Sequence, residues 1–487
     1  MGKSENLSKK TFSGFIWRFL EQCGSQGVSF IVSIVLARLL EPSVYGIVAL
    51  VAVFISILNV FINSGMGVAL IQKKDADDLD FSSLFYFNLA MCTLLYIIMF
   101  FAAPHIANFY AMPDLTPVVR VMSLTLIVSG VKGIQQSYVS RHMLFKKFFF
   151  ATLGGTIFSA FVGIWMAYKG YGVWALVTQS LSNNVIDTVI LWFMVKWRPK
   201  LMFSLQRIKG LFSFGWKLLV SSLLDRAYKS LRTLIIGKVY SAADLAQYNK
   251  GKSWPSLIVE NINASIDSVL LPAMSKHQDN PEAVKAMTRR SIKTSTYLMA
   301  PLLLGLAFIG EPLVRLVLTE KWMPSVFFMR IICVTCMFYP VHTANLNAIK
   351  AMGRSDLFLR LEVTKKIVGL AIVAATMFIS VKAIAWGSIV SSIASQIINA
   401  SPNKKLMNYG YIEQLKDILP GILLACVMGV MIYPIQFLGL SDFVTLLIQV
   451  PLGAVIFIAL SKILHIDSFE YVLALLKGYV GKRKQKD

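Results

Sequence analysis

Residues 212–239 read FSFGWKLLVSSLLDRAYKSLRTLIIGKV. The stretch is long and apolar enough to cross a bilayer, yet Asp225, Arg226, Lys229 and Arg232 sit near its middle. At the membrane centre each such charge costs about 2.5–3.5 kcal/mol, so four together cost roughly 10–14 kcal/mol. A helix so loaded does not face lipid. Ser222, Asp225, Lys229 and Arg232 follow i, i+3, i+7, i+10 spacing, which puts them on one stripe. The stripe therefore faces a protein interior or a watery cavity, and it reads as one wall of a transport pathway.

The rest of the chain agrees with a membrane setting. Of its 487 residues 56% are hydrophobic and only 15% charged, with a mean hydropathy of +0.65. Apolar runs long enough to span a bilayer recur along the whole length. The opening MGKSENLSKK has no small-residue cleavage site, so no removable signal peptide is expected. About fourteen spans can be drawn: 12–40, 44–71, 82–104, 117–139, 149–168, 171–195, 212–239, 244–271, 290–310, 325–350, 357–379, 382–400, 414–436 and 441–464. The expected fold is an all-α polytopic membrane protein.

The net charge of +23 does not point to nucleic acid, because the basic residues fall in alternate connections rather than in one basic domain. One set of connections carries Lys73 and Lys74, then Arg141, Lys146 and Lys147, then Lys196, Arg198 and Lys200, and later Arg289, Arg354, Lys404 and Lys405. The opposite set carries little more than Lys169, Arg315, Lys321 and Lys382. By the positive-inside rule both termini are expected in the cytoplasm.

The chain also repeats at an offset of about 200 residues. Residues 14–46 resemble 214–248: Trp17-Arg18 matches Trp216-Lys217, Arg38 matches Lys238, and Gln22, Ser25 and Ser29 fall opposite Ser222, Asp225 and Lys229. Two lobes of six helices each are the consequence, 1–200 and 201–403, with two further helices and a basic tail in 404–487.

Other helices extend the polar stripe. The first carries Arg18, Gln22, Ser25 and Ser29, with Glu21 beside them. The eighth carries Lys250 and Lys252 before Pro255 and Glu260, Asn263 and Asp267 after it, and the tenth carries Arg330 in an apolar run before Pro340. Local neutralisation is the competing reading, with Asp225 against Lys229 and Glu362 against Lys365 or Lys366. Nearby cations still outnumber acids, which leaves a basic surplus for an anionic ligand. The candidate substrate-binding residues are Arg18, Gln22, Ser222, Asp225, Lys229, Arg232, Lys252 and Arg330, and the candidates for proton or sodium coupling are Glu21, Glu260 and Asp267.

Enzyme signatures are missing: no Walker A loop, dinucleotide fingerprint or HExxH, and the five histidines do not cluster. Cys333-x-x-Cys336 has no second pair and reads as buried apolar packing. No enzyme activity, cofactor, metal site or nucleic-acid partner is expected.

Several stretches carry a family resemblance: ARLLEPSVYG (37–46), NSGMGVALIQKKD (63–75), LPAMSKHQD (271–279), EKWMPSVFFMRIICV (320–334) and KAMGRSDLFLRLEV (350–363). Together they resemble the Wzx-type polysaccharide transporters. More narrowly, they resemble the colanic-acid and teichuronic-acid exporter branch of the multidrug/oligosaccharidyl-lipid/polysaccharide exporter superfamily. The resemblance implies two six-helix lobes, V-shaped around a central cavity, plus two C-terminal helices. It also implies flipping of undecaprenyl-pyrophosphate-linked oligosaccharide across the bacterial inner membrane. Basic cavity residues, here Arg18, Lys229, Arg232 and Arg330, would face that substrate. Membrane lipids, a polysaccharide polymerase and glycosyltransferases are the partners it implies. A lipid II flippase and a cation-coupled multidrug exporter of the same fold are the alternatives.

Overall fold

A computed structural model describes residues 2–63 and 66–484. Ser64 and Gly65 of the quoted stretch 63–75, and Lys486 of the basic tail, lie outside the described residues. The described residues form α-helices joined by short turns, with two 3-10 turns and no strand. Two compact units divide the chain, Met1–Ala246 and Gln247–Asp487.

The first unit holds α1 (Gly2–Leu39), α2 (Pro42–Asn63), α3 (Met66–Gln72), α4 (Asp78–Tyr110), α5 (Leu115–Arg141), α6 (Phe145–Tyr168), α7 (Val173–Met194) and α8 (Leu205–Val239). The next helix, α9 (Ala242–Ser275), starts in it and continues into the second unit. The second unit adds α10 (Pro281–Phe308), α11 (Gly310–Leu318), α12 (Pro324–Cys336), α13 (Tyr339–Ala351), α14 (Ser355–Thr376), α15 (Val381–Met407), α16 (Tyr411–Ile432), α17 (Asp442–Ile463) and α18 (Asp467–Lys484).

Eleven helical stretches of the described residues are long and apolar enough to cross a membrane. Each corresponds to a span drawn from the sequence. The three remaining drawn spans are α7, α8 and α14, helices of 22, 35 and 22 residues whose apolar runs are interrupted by polar side chains. This is a multi-pass, all-α membrane protein. One drawn span is broken: 325–350 divides into α12 and α13, with Met337 and Phe338 between them. Pro340 sits in the first turn of α13, where its missing N–H costs nothing, so it starts a helix instead of kinking one. Pro255 lies inside the unbroken α9. The short α11 and the terminal α18 were not drawn from sequence.

The repeat reappears in the helix ends. α1 ends at Leu39 and α8 at Val239, and α2 begins at Pro42 and α9 at Ala242, a shift of 200 residues in both cases. The start of α2 lies against the start of α9 so closely that a Cβ on Gly46 would be 1.8 Å from the Ala242 carbonyl oxygen.

In the first unit α8 packs on α2, α3 and α4. Its beginning is fastened by charge. Asp80 is fully buried and is met by Lys73 at 2.5 Å and Arg207 at 3.6 Å. Asp77 and Asp80 form a capping box at the start of α4. The hydrogen bond from the Asp80 N–H holds the Asp77 carboxyl below its ordinary value. An aromatic core of Phe81, Phe85, Phe148 and Trp197 closes this end. In the second unit a buried amide cluster ties α13, α15 and α16. Asn345 donates to Gln414 at 2.8 Å and accepts from Gln414 at 2.9 Å and Asn403 at 2.6 Å.

Candidate functional site: a polar cavity in the first unit

The residues that line the cavity come from α2, α5, α7 and α8. On α5 the sequence VSGVKGIQQ places Ser129, Lys132 and Gln136 at i, i+3, i+7, so one face of an otherwise apolar helix is polar. On α7 the run QSLSNNVID supplies Asn184 to the wall and Asp187 one turn behind it. α6 reaches α7 through glycine: a Cβ on Gly155 would lie 2.9 Å from Asp187 Cβ and 3.0 Å from the Asn183 carbonyl oxygen. That close backbone approach seats Asp187 in the interior, 6% exposed. From α2 come Ser56, Asn59 and Val60, and from α8 come Ser222, Asp225, Arg226 and Lys229.

Together these side chains enclose about 560 Å³. Lys132 and Asp187 form an ion pair between α5 and α7. Lys229 and Asp225 pair along α8 at 2.8 Å, and Arg226 Nε donates to Ser56 Oγ at 3.0 Å. Asn59 Oδ1 is buried with no hydrogen-bond partner. The lining thus carries three cations, Lys132, Arg226 and Lys229, against one carboxylate, Asp225. Around them stand hydroxyls and amides able both to donate and to accept. Such a surface suits an anionic, hydroxyl-rich molecule.

Of the residues picked from sequence, Ser222, Asp225 and Lys229 line this cavity. Arg232 is on the same helix, outside the lining, with its Nε buried and without a hydrogen-bond partner. Arg18 bonds Glu21 at 2.6 Å on α1 and lies over the Phe148 ring, and Gln22 is exposed beside it. None of these three lines the cavity. The others belong to the second unit. Arg330 bonds Glu311 at 2.8 Å and the Ala307 carbonyl at 3.1 Å. Asp267 accepts from Asn347 at 2.7 Å, and Lys252 and Glu260 are exposed on α9. The local pair Lys365–Glu362 forms as well, at 2.5 Å. Cys333 and Cys336 are buried free thiols. No group of His, Cys, Asp or Glu able to hold a metal occurs among the described residues.

Lys132, Ser56, Asn59, Ser129, Gln136 and Asn184 line the cavity without being among the residues expected from sequence. The available signal was Lys132, a lone charge well inside the α5 apolar run, and an intramembrane charge is a functional candidate by default.

The profile of the family described as polysaccharide biosynthesis protein matches residues 35–327, more than half of the chain and including every cavity-lining residue. The chain belongs to that family. Among similar members, the teichuronic acid biosynthesis protein TuaB of Bacillus subtilis is 24% identical over 78% of this chain and 79% of its own length. The lipopolysaccharide biosynthesis protein WzxC of Escherichia coli is 24% identical over 74% of each chain. Among solved structures, the lipid II flippase MurJ superposes with a TM-score of 0.72 at 14% identity, covering 94% of this chain and 99% of MurJ. An inward-facing MATE-family multidrug transporter gives 0.60 at 12% identity, covering 80% of this chain and 99% of its own. At these identities the structural likeness speaks for the fold, which this family member shares with both.

Proposed function

We propose that the protein flips a lipid-linked oligosaccharide across the bacterial inner membrane for surface polysaccharide synthesis, as a transporter and not an enzyme. The observation that carries this reading is the cavity wall: three cations interleaved with Ser56, Asn59, Ser129, Gln136, Asn184 and Ser222 within helices of a membrane protein. The substrate we favour is an undecaprenyl-pyrophosphate-linked repeat unit. Its pyrophosphate cannot cross hydrocarbon unaided, and Lys and Arg in a partly dehydrated cavity offset that cost. Its sugar hydroxyls match the amides and hydroxyls of the wall, while the polyprenyl tail can stay in lipid. Membership of the polysaccharide biosynthesis family and the printed functions of TuaB and WzxC support the glycan. The positive-inside pattern supports cytoplasmic termini.

The test is reconstitution. Proteoliposomes holding the purified full chain and a fluorescent undecaprenyl-pyrophosphate oligosaccharide should move the probe between leaflets faster than empty liposomes. The Lys229→Ala/Arg226→Ala variant should lose most of that activity. Equal rates with and without protein sink the proposal.

A further inference from the structure

Two ion pairs belong to the cavity, and they differ in one respect. Lys229 and Asp225 have side chains 67% and 44% exposed, so water can take the place of either partner. Lys132 and Asp187 are 16% and 8% exposed. Lys132 reaches the cavity wall, whereas Asp187 stands behind it and is not part of the lining. The ammonium therefore has one face toward a buried carboxylate and one toward whatever enters.

Among the described residues Lys132 is the cation paired with Asp187. Asp187 Oδ1 is buried without a hydrogen-bond partner. α6 meets Asp187 at Gly155, and its charged residues Lys146 and Lys147 lie two turns or more away at its start. α2 has no charged residue, only Ser56 and Asn59 toward the cavity and Tyr45 near its far end. On α8 the charged groups at the cavity are Asp225, Arg226 and Lys229, of which Lys229 is engaged by Asp225 and Arg226 by Ser56. Within α7 Asp187 is the sole ionisable group.

We infer that Lys132 is exchanged between Asp187 and an anionic ligand, and that Asp187 takes up a proton when the ligand takes the ammonium. The inference rests on the anionic-ligand reading of the cavity given above. A buried carboxylate deprived of its counter-ion is neutralised in preference to remaining charged in a dry site. The proton comes from solvent through the cavity, so one anionic group and one proton bind together, with no covalent step. Asp225 does not behave this way, because on losing Lys229 it stays hydrated. The Lys132–Asp187 pair is then a coupling element, making anion affinity rise as pH falls.

Sulfate is a suitable probe because it stays doubly charged between about pH 5 and pH 8, the range over which linkage to a carboxylate is to be read. Its binding to the purified full-length protein in detergent is measured by titration calorimetry across that range. The expected wild-type Kd falls with falling pH, approaching ~10-fold per pH unit where one proton is taken up. Asp187→Asn, which removes the competitor for Lys132, should bind sulfate more tightly than wild type at the alkaline end and with no pH slope. Asp187→Glu should keep the slope. Lys132→Gln should weaken binding and abolish the slope. A purely structural pair predicts the reverse sign, with Asp187→Asn binding more weakly. A pH-independent wild-type Kd, or weaker binding by monodisperse Asp187→Asn, overturns the exchange, while loss of binding in Lys229→Ala would still uphold the anion cavity. If the wild-type protein binds no sulfate, both the cavity reading and the exchange are overturned.

Discussion

Substituting Gly46 by alanine tests a tight backbone contact in the first unit. An added Cβ would sit 1.8 Å from the Ala242 carbonyl oxygen, 2.5 Å from its carbon and 2.8 Å from its Cα. Real Cβ atoms are not found closer than 3.0 Å. The starts of α2 and α9 must therefore part by at least 1.2 Å, the difference between 3.0 and 1.8 Å, and backbone cannot swing aside as a side chain can. Overpacking of that kind costs about 1–3 kcal/mol, and in a unit of this size each kcal/mol lowers the unfolding midpoint by about 2–4 °C. A fall of roughly 2–12 °C is expected in thermal unfolding of the detergent-solubilised protein. Gly27 is the control: nothing lies within 4 Å of its Cβ position and it sits inside α1. Gly27→Ala should be neutral or stabilise by about 0.5–1 kcal/mol, since alanine is the better helix former. Gly46→Ala with a wild-type midpoint and wild-type flipping would refute the reasoning.

Two further outcomes are expected. Reporter fusions after residues 147 and 404 should read cytoplasmic, and those after 170 and 382 periplasmic, because the Lys and Arg residues crowd the first set of connections; the opposite reading at 404 would overturn the assigned orientation. Arg232→Lys should impair flipping partially and Arg232→Ala strongly, since a guanidinium offers a fork of donors and an ammonium a point charge; wild-type activity of Arg232→Ala, at wild-type levels in the membrane, would remove Arg232 from the mechanism.

The spans were legible because a helix that meets lipid must be apolar along its length, and only α11 and α18, short or polar, escaped that signal. The α8 stripe was legible for the complementary reason: four charges at mid-span have no other place to go. Its partners were not. Lys132 finds Asp187 at a separation of 55 residues, and nothing local to α5 or α7 states that the two will meet. Arg330 read as a cavity cation because its run is apolar, yet Glu311 on the unforeseen α11 comes to it from 19 residues upstream. Pairings between helices are set by packing, and spacing within one helix reports only which face a residue shares.

The polar side chains within α7, α8 and α14 bear on how the protein is made. A translocating segment is sorted by its affinity for lipid as it leaves the ribosome, so these three helices gain from a neighbour already in place. α8 packs on α2, α3 and α4, and α7 on α2, α5 and α6, all of which are synthesised before them. Each of those two helices thus emerges to a prepared berth. α14 differs, because its main neighbour is α15, which follows it in the chain. Biogenesis of the second unit should therefore pause with α14 held at the insertion machinery until α15 has been translated, and chains truncated between the two should be the ones that membrane quality control removes.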